Sequence, residues 1–296
     1  MQLMKARDIA ERASSPSGAP VIPPAAQSGT RPPAATVADI VDSEVLAGFR
    51  VWRVWIILGW NDIRQRYRRS VLGPFWITLS MGVFILMLGD IYSHLFHMQL
   101  GTYLPFLSAG YIIWGLVSTI ANESCLAFHE SAQLIKQIKL PYTIYIQRVV
   151  WRNFIVFLHT VVIYIPVAAY FRVPLGLTSL LALPGLFLLI VNVTWAAMVL
   201  AIVSTRYRDV QPIVATVTQL AMFATPIMWP KSALGGAAIV ADINPIYHLI
   251  AVVREPLLDT APALLSWLVV CGFAVAGPAL AIGLLVSKSR RLVFWL

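Results

Sequence analysis

Six apolar runs in this chain are too long to belong to a soluble core. They lie at about residues 71–96, 103–128, 153–171, 177–205, 211–229 and 263–287. Each approaches or exceeds the ~20 residues a helix needs to cross a bilayer. Lipid offers the backbone no hydrogen bonds, so a spanning segment must satisfy its own, as a helix does. The expected fold class is therefore an all-α membrane protein with six transmembrane helices. Charged residues make up 12% of the chain, about half the share of a soluble domain.

Two segments flank the runs. Residues 1–46, rich in Pro, Ala and Ser, read as a disordered tail without the basic-then-apolar layout of a secretory signal. Residues 47–70 read as an amphipathic interface helix. Phe49, Trp52, Ile56, Trp60, Ile63 and Tyr67 recur at three- and four-residue steps, with Arg50, Arg53, Arg64 and Arg68 on an adjoining face. Its charges, Asp62 and Arg66 included, argue against a membrane crossing, since each costs a few kcal/mol at mid-bilayer. Residues 71–296 form the transmembrane domain.

Residues 230–262 hold only a short apolar stretch, 243–253, broken by Pro245 and His248. It is too short to cross and reads as re-entrant outer helices between spans five and six. Charge tests this layout. With the N-terminus inside, 19 of the 22 Lys and Arg fall on the cytoplasmic side, leaving Arg172, Lys231 and Arg254. That satisfies the positive-inside rule with both termini cytoplasmic. It also accounts for the net charge of +9 without nucleic acid, which is not expected as a partner.

Catalytic chemistry is hard to find. The chain has no Gly-Lys pair, hence no phosphate-binding loop, and no HExxH or G-x-S-x-G motif. No catalytic residue, cofactor-binding residue or metal ligand is assigned, and Cys125 and Cys271 read as small apolar residues. Asp90, His94, Glu123 and His159 are ionisable groups within runs, most near run ends, and read as structural or path-lining. Trp76, Tyr92 and Trp114 are the aromatics singled out as path-lining, beside an interfacial belt. After the second run, Glu130, Leu134, Lys136, Lys139 and Leu140 lie on a mixed helix that stops before Pro141. Its Leu134, Ile135, Ile138 and Leu140 would be exposed on a solvated loop, so this helix is expected to dock on a partner.

Several stretches together resemble the ABC-2 type permeases that export bacterial polysaccharides. They are RQRYRRSVLGPFW from Arg64 to Trp76, KQIKLPYT ending at Thr143, RYRDV from Arg206, TPIMW from Thr225 and NPIYHLI from Asn244. The resemblance covers about residues 45–296, and the long tail departs from it. It implies a homodimer with two copies of an ABC ATP-binding subunit, which would bind ATP and Mg while this chain binds neither. It implies a non-catalytic permease of the bacterial inner membrane moving lipid-linked polysaccharide, such as O-antigen on polyprenyl diphosphate. Capsular polysaccharide and teichoic acid are the alternative cargoes. An integral-membrane glycosyltransferase or an ion-coupled transporter is the alternative class.

By that resemblance the interface helix is a cytoplasmic gate, with Trp52, Trp60, Arg64, Arg66, Tyr67, Arg68 and Arg69 facing a lipid headgroup. Residues 130–140 are the ATPase-docking helix. Asn244, Pro245, Tyr247 and Arg254 belong to an outer gate.

Overall fold

The computed structural model describes residues 37–68, 73, 75–232, 235 and 238–296. The tail before Val37, and Arg69, lie outside the described residues. Every regular element among those described is helical.

A short helix α1 (Val37–Ile40) passes through a π-helical turn, Val41–Leu46, into α2 (Ala47–Arg50). Helical structure thus begins before residue 46, where the sequence reading ended the tail. The reason is a tertiary contact: the Glu44 carboxylate accepts from the Tyr142 amide at 2.6 Å, and its carbonyl accepts from Thr143 Oγ1 at 2.5 Å. A break at Val51 separates α2 from α3 (Trp52–Tyr67), the helix expected at the interface.

Among the described residues five helices are long and apolar enough to cross a membrane. They are α4 (Phe75–Leu95), α5 (Leu100–Ser124), α8 (Tyr142–Tyr170), α9 (Ala182–Arg206, entered by a 3-10 turn, Leu177–Leu181) and α13 (Leu264–Trp295). Between α5 and α8 lie two short helices, α6 (Ala127–Glu130) and α7 (Ala132–Gln137). The third span was expected from residue 153, but α8 starts eleven residues earlier, directly after Pro141. Its first turns carry Arg148 and Arg152, which read from sequence as a loop. The two arginines are paired inside the fold with Asp62 and Glu123, which offsets the cost of burying them.

The expected fifth span is shorter than predicted. It is α10 (Val210–Ala224), 15 residues, or about 22 Å of helix. Thr225 leaves the helix in an extended conformation, as a residue before proline is biased to do. The remaining residues fold into a buried turn instead of extending the span: Thr225, Ile227 and Met228 are buried. Three neighbours hold that turn. Tyr103 Oη donates to the Met228 carbonyl. Arg254 Nη1 donates to the Pro226 carbonyl at 2.6 Å. Asn244 Nδ2 donates to Thr225 Oγ1 at 2.9 Å.

The segment expected on the outer side forms α11 (Ile239–Ile243) and α12 (Pro245–Leu257). Asn244 caps α12, accepting from the Ile246 amide, with Pro245 in the first turn. At 13 residues α12 is too short to cross. It packs against α5, α9 and α13, closely enough that a Cβ on Gly185 of α9 would sit 2.1 Å from the Val252 carbonyl oxygen.

Helix α5 is the centre of the bundle and touches α4, α8, α9, α10 and α12. Helices α4 and α10 lie outermost. No residue of α10 is buried, and α4 exposes Leu79, Val83, Leu86 and Met87.

Candidate functional site: an ion cluster that holds the interface helix

Helix α3 and the short α2 before it are fastened to α8. In α2 a Cβ on Gly48 would meet Thr143 Oγ1 at 2.1 Å. At mid-helix Trp55 and Trp151 meet edge to face, 5.9 Å between centroids. There Gly59 lets the backbones close, for a Cβ would lie 3.0 Å from Trp151 Cδ1 and 3.2 Å from the Arg148 carbonyl oxygen. Beyond Gly59 the contact becomes ionic.

Asp62 accepts from Arg148 Nε at 2.7 Å and Nη2 at 2.5 Å, a bidentate fork, and from Arg152 Nη1 at 2.9 Å. Arg152 turns its other nitrogens to Glu123 of α5, at 3.2 and 2.7 Å. Glu123 also accepts from Asn153 Nδ2 at 2.6 Å and from Arg66 Nη2 at 2.9 Å. Arg148 Nη1 reaches Ser131 Oγ at 3.4 Å, at the joint between α6 and α7. One connected set of charges thus joins α3, α5, α8 and the α6–α7 connector.

Burial makes this set strong. The Arg152 and Asp62 side chains are only 7% and 12% exposed, so their charges are weakly screened and depend on each other. Arg66, at the rim, is 43% exposed. Burial is the largest single influence and opposes its charge, but the Glu123 hydrogen bond together with the charges of Glu123, Tyr67 and Asp62 outweighs it and the guanidinium pKa rises. Burial likewise raises the Tyr67 phenol above its usual value.

The sequence-predicted residues fall into different settings. Trp52, Trp60, Arg64 and Arg68 are exposed, and Tyr67 is half-buried. Arg64 and Arg68 line an open recess of about 350 Å³ with Asn61 and Gln65. Arg66 points instead into the ion cluster. Ile63, expected on the exposed apolar stripe, is buried, because that edge of α3 faces the bundle.

The expected docking helix is two short helices broken at Ser131. Ile135 is buried, and Leu134 and Leu140 pack on the core. Only Ile138 of the four apolar residues stays exposed, beside Glu130, Lys136 and Lys139. The apolar residues that suggested docking mostly anchor the connector to its own chain.

In the outer segment Tyr247 and Arg254 are buried and Pro245 is exposed. The Arg254 guanidinium lies 4.2 Å from the Phe106 ring centroid. Lys231 pairs with Asp242 at 2.5 Å, and His248 bridges the Asp242 carbonyl and Ser266 Oγ.

Among the aromatics, Trp76 is exposed, Tyr92 is half-buried on Phe96, and Trp114 is enclosed in the core. Asp90 and His94 are both largely exposed. No group of three or more metal-ligating side chains occurs among the described residues.

The family profile described as ABC-2 type transporter matches residues 53–258, from the interface helix through α12. The chain belongs to the ABC-2 type transporter family. As such it is the membrane-spanning transport subunit of an ABC transporter, and the family associates with an ABC ATP-binding subunit.

Among curated proteins it is similar to the O-antigen export system permease protein RfbA of Myxococcus xanthus. The two are 24% identical over 194 residues, which is 64% of this chain and 74% of that one. It is also similar to two Klebsiella pneumoniae proteins of that name. One is 25% identical over 59% of this chain and 68% of the relative; the other is 22% identical over 68% and 78%.

Sequence reasoning missed the cluster itself. Arg148 and Arg152 stand four residues apart, as do Asp62 and Arg66, which is the spacing of one helix face. That signal was readable, but the acids and arginines lie on three separate segments.

Proposed function

We propose that this chain is the permease of an ATP-driven exporter that moves lipid-linked O-antigen across the bacterial inner membrane. The observation that carries the reading is the family match from residue 53 to 258, which contains every member of the ion cluster. The named relatives supply the cargo class. Two copies of the chain would enclose the path, using the unpartnered apolar faces of α4 and α10. Helix α10 with its buried turn would serve as the short fifth span and α12 as the re-entrant outer helix. Both termini would then lie in the cytoplasm.

Each part has a role in that reading. The ATP-binding subunit docks on the exposed Lys136, Ile138 and Lys139 of the connector. A push there reaches Ser131, and through Arg148 and Asp62 it reaches α3. Helix α3 then tilts as a gate. Arg64 and Arg68, on its exposed face, meet the diphosphate of the carrier lipid, to which guanidinium forks are suited. ATP and Mg stay with the partner subunit.

The test is reconstitution of the chain with its cognate ATP-binding subunit in vesicles. ATP-dependent transport of a lipid-linked glycan is expected. Glycan movement by this chain alone, or movement driven by an ion gradient without ATP, would overturn the reading. Parallel assays with capsular polysaccharide and teichoic acid carriers would separate cargo classes.

A further inference from the structure

We propose that a cleft between α8, α9 and α13 is a binding site for one acyl chain of an anionic membrane phospholipid. The cleft holds about 420 Å³. Along α9 it is lined by Phe187, Val191, Thr194 and Met198, which share one face and span about 16 Å at 1.5 Å per residue. Ile282 and Leu285 of α13 form the opposite wall, and Phe49 of α2 closes one end. The lining is almost wholly apolar, so water gains little there and hydrocarbon gains much.

Within the cleft the Thr194 hydroxyl is spent on the Ile190 carbonyl, and the other polar side chains lie at one mouth. Thr143 and Gln147, in the first turns of α8, lie at that end. Basic residues flank the cleft's lining in sequence, and the bond that Tyr142 Oη donates to the Ser289 carbonyl at 3.4 Å brings that end of α13 beside the start of α8. Arg50 and Arg53 follow Phe49 in sequence, and Lys288 stands three residues beyond Leu285 on α13. The nearby acids are engaged: Asp42 pairs with Arg50 at 3.4 Å, and Glu44 is turned onto the Tyr142 amide. Net positive charge around the polar end of an apolar cleft complements a phosphate with an acyl tail. The cleft is walled by α8, α9 and α13, and no residue of α4 or α10 lines it. The site is therefore separate from the proposed export path, and its occupant is a resident bilayer lipid and not the exported carrier.

The experiment reconstitutes the full chain in phosphatidylethanolamine vesicles containing phosphatidylglycerol with a mid-chain diazirine. Labelling after illumination is expected to concentrate on peptides covering residues 187–198 and 278–285. Unlabelled phosphatidylglycerol should compete and phosphatidylcholine should not. Val191→Trp, which fills the cleft, should remove most of that label. Lys288→Gln should weaken phosphatidylglycerol competition by about fivefold, the equivalent of one basic residue near a membrane surface.

Label spread evenly over α4 and α10 as well would mean ordinary bilayer contact and would overturn the proposal. So would equal competition by phosphatidylcholine, or cleft label that appears only after residues 1–36 are removed. If Val191→Trp fails to fold, the wild-type label map and the competition decide the question alone. A chain that labels as expected but exports no glycan would count against the proposed cargo and not against this site.

Discussion

At the residue scale, Asp62 holds the position with most at stake. It is the shared acceptor of two arginines, one of them buried. Asp62→Asn leaves Arg148 without its fork and strands charge inside the bundle, at an expected cost of about 3 kcal/mol. Thermal unfolding of the detergent-purified protein would read this, and adding Arg148→Gln should recover part of the loss. An additive double mutant would show that the two side chains do not interact.

Glu44 makes a second case. Burial raises its pKa, against the opposing Tyr142 amide bond. A carboxyl with a raised folded-state pKa binds protons more readily folded than unfolded. Its stability contribution is therefore fully present below the unfolded pKa and is lost as pH rises through the folded one. Glu44→Gln should keep an acceptor for Tyr142 while flattening the decline in unfolding midpoint between mildly acidic and neutral pH. A pH profile unchanged by the substitution would contradict this.

At the element scale, long apolar runs were legible and their exact ends were not. The fourth run was read almost to the residue, because nothing charged interrupts it. The start of α8 was hidden because Arg148 and Arg152 look like loop residues until Asp62 and Glu123 are placed beside them. The end of α10 was signalled by Pro226, but the apolar Ile227, Met228 and Trp229 after it suggested continued helix. The connector shows the same limit. Hydrophobicity alone does not say whether Leu134 and Ile135 face a partner or their own core. What stays exposed there is basic, so Lys136→Glu with Lys139→Glu should cut co-purification of the ATP-binding subunit about thirtyfold, at about 1 kcal/mol for each charge. Membrane insertion, checked by carbonate extraction, should not change. Undiminished co-purification would move the docking surface elsewhere. Gly185→Ala, forced against the Val252 carbonyl, should cost about 1–3 kcal/mol, read as a lower unfolding midpoint.

At the scale of the whole molecule, charge distribution suggests an orientation without coordinates, while the pairing of helices required them. The proposed orientation has a direct check. A periplasm-dependent reporter fused after Thr260 should be active, and one fused after Leu296 should not. Activity at both sites would mean an odd number of crossings between the N-terminus and the chain end. The cleft at α9 and α13 and the ion cluster were both invisible in sequence for one reason. Each is built from residues far apart in the chain that carry no motif.

The ion cluster also sets a schedule for biosynthesis. A ribosome makes Asp62 and Glu123 before it makes Arg148 and Arg152. When α8 leaves the translocon, the acids that neutralise it are already in or at the membrane. Had the order been reversed, two unpaired arginines would have waited in the bilayer for partners not yet translated.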